Sequence, residues 1–182
     1  VVCRRQRQMC IRDRYKLMGL APYGDPKYTK LIKDKLIDIK EDGTFKLDIS
    51  YFKYHRGFRM TSRKFHKLFG RSPRKRETEL SQFHMDIAAS IQAVTEEVVL
   101  KLARSLREET GIKNLCLAGG VALNCVANGV LLRENIFDNI WIQPASGDAG
   151  SSLGGALIGW HQYYQKERTP NPCLLYTSDA AD

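Results

Sequence analysis

The chain lacks the patterns by which several classes of protein are recognised. Its five cysteines, Cys3, Cys10, Cys116, Cys125 and Cys173, are odd in number and scattered, with no Cys-x-x-Cys pair. That argues against a zinc site and against a disulfide framework, and leaves small buried hydrophobes as their plainest reading. No apolar run approaches the roughly 20 residues of a membrane-spanning helix, and the Arg-rich start has no apolar core of a secretory signal. A soluble, cytoplasmic protein is expected. Neither the G-x-G-x-x-G loop nor the P-loop occurs, so two common phosphate cradles are absent. What is there is a chain of 182 residues, enough for one domain with a proper core or for part of a larger one.

Acidic residues are scarce in two blocks, and the net charge of +9 comes from them. Residues 1–14 carry Arg4, Arg5, Arg7, Arg12 and Arg14 against Asp13, and ten Lys or Arg with no acid lie between Lys53 and Arg76. The rest is close to neutral or slightly acidic. Lys53–Arg76 also contains Phe58, Phe65, Leu68 and Phe69, and predicts a short helix followed by an exposed loop. Two readings fit: an aromatic and basic surface for single-stranded nucleic acid or an anionic substrate, or a helix with an apolar underside and a solvated rim. The second is favoured, because a charge run alone is a weak motif.

The two ends have neither apolar period nor strand alternation. VVCRRQRQMCIRDR at 1–14 and CLLYTSDAAD at 173–182 resemble translated sequencing-adapter tails at the ends of assembled gene fragments. They are read as non-native, which leaves 15–172 as the natural part, with the true protein expected to continue in both directions.

Along that part, YKLMGLAPYG ends in a turn set by Pro22, Gly24 and Pro26. Tyr28, Leu31, Ile32, Leu36 and Ile37 predict an amphipathic helix over Asp25–Asp38. Glu41–Thr44 is a tight turn with Gly43 where positive φ is wanted, and Phe45, Leu47 and Ile49 alternate with polar residues as a strand. Ser81–Leu106 is the clearest helix, with Ile87, Ile91, Val94, Val98 and Leu102 on one stripe and Gly111 as its stop. Core packing explains it, so His84 and Asp86 near its start are weak site candidates.

The most informative stretch is Asn114–Ala156. An apolar strand, Asn114–Ala118, runs into Gly119-Gly120, and Ala122–Glu134 has the composition of a helix. The pattern then repeats: strand Ile140–Ile142, turn Pro144–Gly150, helix Ser151–Trp160. This order implies parallel strands joined by right-handed crossovers, with a cleft at their carboxyl ends where glycine amides approach an anion. Asp148, between Gly147 and Ala149, has two readings: a ligand for a metal ion or water beside a phosphate, or the ordinary cap of the following helix.

Several ordered blocks go beyond this grammar. KLMGLAPYG (Lys16–Gly24), LDISYFKY (Leu47–Tyr54), HMDIAASIQ (His84–Gln92), LAGGVALNCVANG (Leu117–Gly129) and FDNIWIQPASGDAGSSLGGAL (Phe137–Leu157) together resemble the O-carbamoyltransferases of nodulation and antibiotic tailoring. The resemblance implies an α/β fold, the second half of an actin-like, ribonuclease-H-like (ASKHA) domain with a mainly parallel sheet flanked by helices. It implies transfer of a carbamoyl group to a hydroxyl of a small-molecule or sugar acceptor, through carbamoyl-AMP made from ATP and carbamoyl phosphate by a separate C-terminal domain. By the same likeness Gly119, Gly120 and Asn124 hold the nucleotide, Lys16 lies near its ribose or phosphate, Asp148 ligates an iron-type divalent metal, and Asp48 lies on the acceptor side. The family's metal-binding histidines fall upstream of Lys16 and its activating domain beyond Tyr164, so this chain is expected to carry part of a transfer site and to be inactive alone. No membrane or nucleic-acid partner is expected. The other readings are a threonylcarbamoyl transferase or sugar kinase of the same superfamily, and a basic RNA-binding module built on Lys53–Arg76.

Overall fold

The computed structural model describes residues 16–54, 60–74, 78–147 and 149–168. The tails at 1–14 and 173–182 and Asp148 therefore lie outside the described residues. The chain divides into two compact units, 1–111 with 126–136, and 112–125 with 137–182. It is α/β throughout.

In the first unit, α1 (16–20) passes into a 3-10 turn at Ala21–Tyr23. Next come α2 (Thr29–Lys35), β1 (Ile37–Ile39), β2 (Phe45–Leu47), a 3-10 turn at Ile49–Tyr51, α3 (Arg63–Leu68) and α4 (Gln82–Thr110). The helix expected over Asp25–Asp38 is thus shorter. Ile37 leaves it and, with Ile39, pairs antiparallel with Leu47 and Phe45: β-branched residues flanking Asp38 suit a strand, and the turn at Gly43, φ +81°, brings a partner alongside. Ile49 leaves β2 in turn, because Asp48 accepts the Ser50 N–H at 2.9 Å and starts the 3-10 turn.

The core of this unit is Ile32, Leu36, Tyr51 and Val94, with Tyr28, Phe52, Phe65, Leu68, Phe69 and Ile91 packed around it. Each such side chain, taken from water, contributes about 1.5–3 kcal/mol before entropy is charged. The aromatics interlock edge to face, with Tyr28 rings 5.7 Å from Phe69 and 5.6 Å from Phe83. Phe65 and Phe69 of the basic run therefore serve the core, while Phe58 lies outside the described residues. Ser62 caps α3 by accepting the Phe65 N–H, its Lys and Arg residues stay outside, and the helix has the apolar underside and solvated rim that the sequence favours.

α4 begins at Ser81, whose N–H donates to His84 Nδ1 at 3.1 Å, and ends at Gly111 with φ +66°. Its N-terminal half is clasped by the turn after α1. The Asp86 carboxylate accepts the Asp25 N–H at 2.9 Å, Gln82 Nε2 at 2.8 Å and Lys27 Nζ at 3.0 Å, while Ser90 Oγ accepts the Tyr28 N–H. The backbones touch here: a Cβ on Gly24 would stand 2.1 Å from the Met85 carbonyl. The blocks KLMGLAPYG and HMDIAASIQ are two halves of this clasp, and Asp86 and His84 have structural work to do.

In the second unit, β3 (Asn114–Leu117) pairs parallel with β4 (Asn139–Ile142) in the register Leu115↔Ile140 and Leu117↔Ile142. A 3-10 turn at Gly120–Leu123 follows β3, and α6 (Gly150–Ile158) follows β4, running on into a π-helical turn at Gly159–Tyr163. The helix expected over Ala122–Glu134 begins later, as α5 (Cys125–Arg133), which beyond Cys125 belongs to the first unit. Asn124, at ψ +89°, is not helical and separates it from the 3-10 turn. The expected parallel strands and strand-helix order are present; among the described residues that parallel sheet has two strands.

Candidate functional site

The candidate site is the carboxyl end of the parallel pair. Beyond Ile142, the Gln143 N–H donates to the Leu117 carbonyl at 3.0 Å, so both strands stop at the same level and turn away together. Gly119 makes the first turn at φ +93°, ψ 168°, a conformation essentially reserved for glycine. The chain then closes a 3-10 turn, with the Ala122 N–H on the Gly119 carbonyl at 3.1 Å and the Asn124 N–H on Val121 at 2.9 Å. The Gly120 and Val121 amides stand at its start, where such a turn has no acceptor of its own. Among the described residues, no neighbour lies within 4 Å of where a Gly119 Cβ would be. Here the glycine is required by backbone angle and leaves the strand end uncovered.

The second turn lies against the first. A Cβ on Gly147 would meet Leu123 Cδ1 in ordinary contact at 3.5 Å, whereas one on Gly150 would stand 2.0 Å from the Ala145 carbonyl oxygen, so close approach requires a glycine at 150 and not at 147. The Gly150 N–H donates to the Gly147 carbonyl at 3.0 Å and leads into α6. Two polar groups in this turn were not singled out from the sequence. Ser146 is 5% exposed, and its Oγ, like Gln143 Oε1, is buried with no hydrogen-bond partner among the described residues. A buried polar group in that state costs about 1–3 kcal/mol. The signal that could have found them is modest: two polar residues flanking Pro144-Ala145 at a strand end.

The charge here is unlike that of the whole chain. Residues 114–125 and 139–165 contain no Lys or Arg, so an anion at this corner is met by amides, with cationic help coming from elsewhere. Gly119, Gly120 and Asn124 thus lie together; Asn124 is half-buried and engaged in contacts of its own. Asp148 lies outside the described residues. Among those described, no three His, Cys, Asp or Glu side chains converge to hold a metal ion, so they do not by themselves form the expected metal centre.

Lys16 and Asp48 belong to the first unit. Lys16 is exposed at the start of α1 and has contacts of its own. Asp48 Oδ1 accepts the Ser50 N–H and Oδ2 pairs with Lys64 Nζ at 3.2 Å, and Lys64 lies 4.0 Å over the Tyr51 ring. Hydrogen bonds from Ser50, and beyond them Lys64, hold the Asp48 carboxyl below its usual range. Asp48 also lines an open groove of mixed charge with Lys35, Asp38 and Lys46. Its local bonds account for its presence at the head of the 3-10 turn.

No helix among the described residues is long and apolar enough to cross a membrane. Residues 8–157 match the family described as "Carbamoyltransferase N-terminus", a span that starts within the segment 1–14. The chain is 64% identical over 154 residues to the protein sll1178 of Synechocystis sp., a match covering 85% of this chain and 25% of that protein. It is 40% identical over 148 residues to the nodulation protein NolNO of Sinorhizobium fredii, covering 80% of this chain and 20% of that one. To NolO of Bradyrhizobium diazoefficiens it is 37% identical over 146 residues, covering 80% and 25%. The chain thus spans a quarter or less of the length of these relatives. With the family model matched over most of its length, the chain belongs to the carbamoyltransferase N-terminal family.

Proposed function

We propose that this chain is part of the transfer domain of an O-carbamoyltransferase and carries one wall of its carbamoyl-adenylate site, at the paired turns after β3 and β4. The observation that carries the reading is the side-by-side placement of Gly119-Gly120 and the Gln143–Gly150 turn at the ends of two parallel strands, in a chain of this family. In the wider protein the fold is read as actin-like, and a partner domain forms carbamoyl-AMP from carbamoyl phosphate and ATP.

In the transfer step the acceptor hydroxyl oxygen forms a bond to the carbamoyl carbon. The bond from that carbon to the phosphate oxygen breaks, AMP leaves, and the hydroxyl proton passes to a base outside the residues assigned here. Charge grows on the leaving phosphate and on the carbonyl oxygen, so the wall must offer donors already in place. The amides of Gly120 and Val121 are suited to that, and Gly119 gives access to them. The orphaned Ser146 hydroxyl and Gln143 carbonyl supply a donor and an acceptor that a bound ligand would satisfy. Asp148 is assigned as one ligand of a divalent ion whose remaining donors come from outside the described residues.

The test is equilibrium titration of the chain with AMP. Saturable binding is expected, weakened about tenfold in Gly119→Ala, since a side chain there strains the backbone by about 1–3 kcal/mol. A chain that does not bind AMP, or a Gly119→Ala chain of unchanged circular dichroism that binds it equally well, would overturn the proposal.

A further inference from the structure

Gln143 opens the turn after β4, and that turn offers its side chain few donors. Its own N–H donates to the Leu117 carbonyl at 3.0 Å and fixes the backbone at the level where the strands end. The next residue, Pro144, has no N–H to give. Residues 114–125 and 139–165 contain no Lys or Arg, so the two turns supply no cationic donor. Gln143 Oε1 is nonetheless buried, with no hydrogen-bond partner among the described residues. A side-chain carbonyl accepts and cannot donate, and leaving it empty is costly. The residue as a whole is half-buried, so rotation about its flexible side chain can present the carbonyl to a ligand at the strand ends. Ser146 differs, because a hydroxyl both donates and accepts and a phosphate oxygen can satisfy it.

We infer that Gln143 is a specificity-determining residue: the –NH2 of the carbamoyl group donates to its Oε1, while the Ser146 hydroxyl donates to the adjoining phosphate. The inference rests on the carbamoyl-adenylate reading of this corner, and adds which atom tells a carbamoyl group from an acyl group of the same shape. The phosphate of carbamoyl-AMP is ionised at neutral pH and offers acceptors alone. It can pair with backbone amides and with Ser146, and it leaves Gln143 unsatisfied. Among the N–H and O–H groups of that ligand the carbamoyl amine lies nearest the phosphorus. The ribose hydroxyls and the adenine amine lie farther off, on the other side of the phosphate. Gln143 and Ser146 belong to one short turn, so the donor that Gln143 meets is a near neighbour of the phosphate. An acetyl group would put a methyl where the amine was and leave the acceptor buried and empty, the arrangement by which hydrogen-bonding sites reject isosteres.

Equilibrium titration of the chain tests it with AMP and with two stable adenosine sulfamates, one N-carbamoylated and one N-acetylated. The sulfamates replace the phosphate and differ only in carrying NH2 or CH3. The native chain is expected to bind the carbamoyl compound at least about tenfold more tightly than the acetyl one. Gln143→Leu keeps the bulk and removes the acceptor, so it should weaken the carbamoyl compound and strengthen the acetyl one until the two bind alike. Damage to the turn would instead weaken both. If the native chain binds AMP and binds the two sulfamates equally, the inference is overturned and the nucleotide site stands; the same result is expected if another segment of a longer chain is the partner of Oε1. A preference that survives Gln143→Leu would also overturn it. A chain that binds none of the three compounds fails the carbamoyl-adenylate reading itself, and the inference falls with it.

Discussion

At the scale of single residues, three glycines with different neighbours separate structural need from access. Gly24 has an ordinary φ, but a Cβ there would collide with the Met85 and Asp86 backbone at 2.1–2.5 Å. Gly24→Ala should therefore cost about 1–3 kcal/mol in denaturant unfolding, through overpacking against atoms that cannot swing aside; an unchanged midpoint would show that the turn can move. Gly43 carries both burdens, φ +81° and a Cβ position 2.4 Å from the Leu102 nitrogen. Gly119 has only the backbone burden, with space beside it, which is why it is proposed as a ligand contact and Gly24 is not. Ser146 gives the opposite sign. Its hydroxyl is buried and unpartnered, so Ser146→Ala should raise the stability of the chain by about 1 kcal/mol while weakening AMP binding. A loss of stability would mean that the hydroxyl is bonded in solution.

At the scale of elements, the clasp between α4 and the turn after α1 is held by one carboxylate. The Asp25 N–H first, then Gln82 and Lys27, lower the Asp86 carboxyl to about 2. With the folded value below the unfolded one, its stabilisation is fully present above the ordinary carboxylate range and is lost as pH falls from about 4 toward 2. Unfolding midpoints measured across that window should drop steeply for the native chain and more gently for Asp86→Asn; parallel curves would remove Asp86 from the account. The sequence made α4 legible because its stripe and its terminal Gly111 are local signals. It did not make the clasp legible, because Asp25, Asp86 and Ser90 are joined only after α1 and α4 meet. For the same reason Ile37 was read into a helix: its apolar spacing fits a helix, and only the hairpin partner across Gly43 decides for a strand.

At the scale of the whole molecule, the turns of the candidate site were readable because glycine placement after a strand reflects backbone geometry. Ser146 and Gln143 were not, since their significance is burial without a partner, which no spacing encodes. The two units also differ in what holds them. The first contains the aromatic core, with Leu131 and Ser90 fully buried, whereas among its described residues the second buries Leu115, Ala122, Phe137 and Ser146. With so little apolar area withdrawn from water, the second unit has less to set against its chain entropy, so unfolding of the isolated chain should not be two-state. The sequence provides its own probes: Trp141 and Trp160, the two tryptophans of the chain, both lie in the second unit, while far-ultraviolet dichroism is dominated by the 29-residue α4 of the first. On heating, the tryptophan emission should change at a lower temperature than the dichroism. Coincident transitions in the isolated chain would mean that the exposed faces of the second unit do not weaken it.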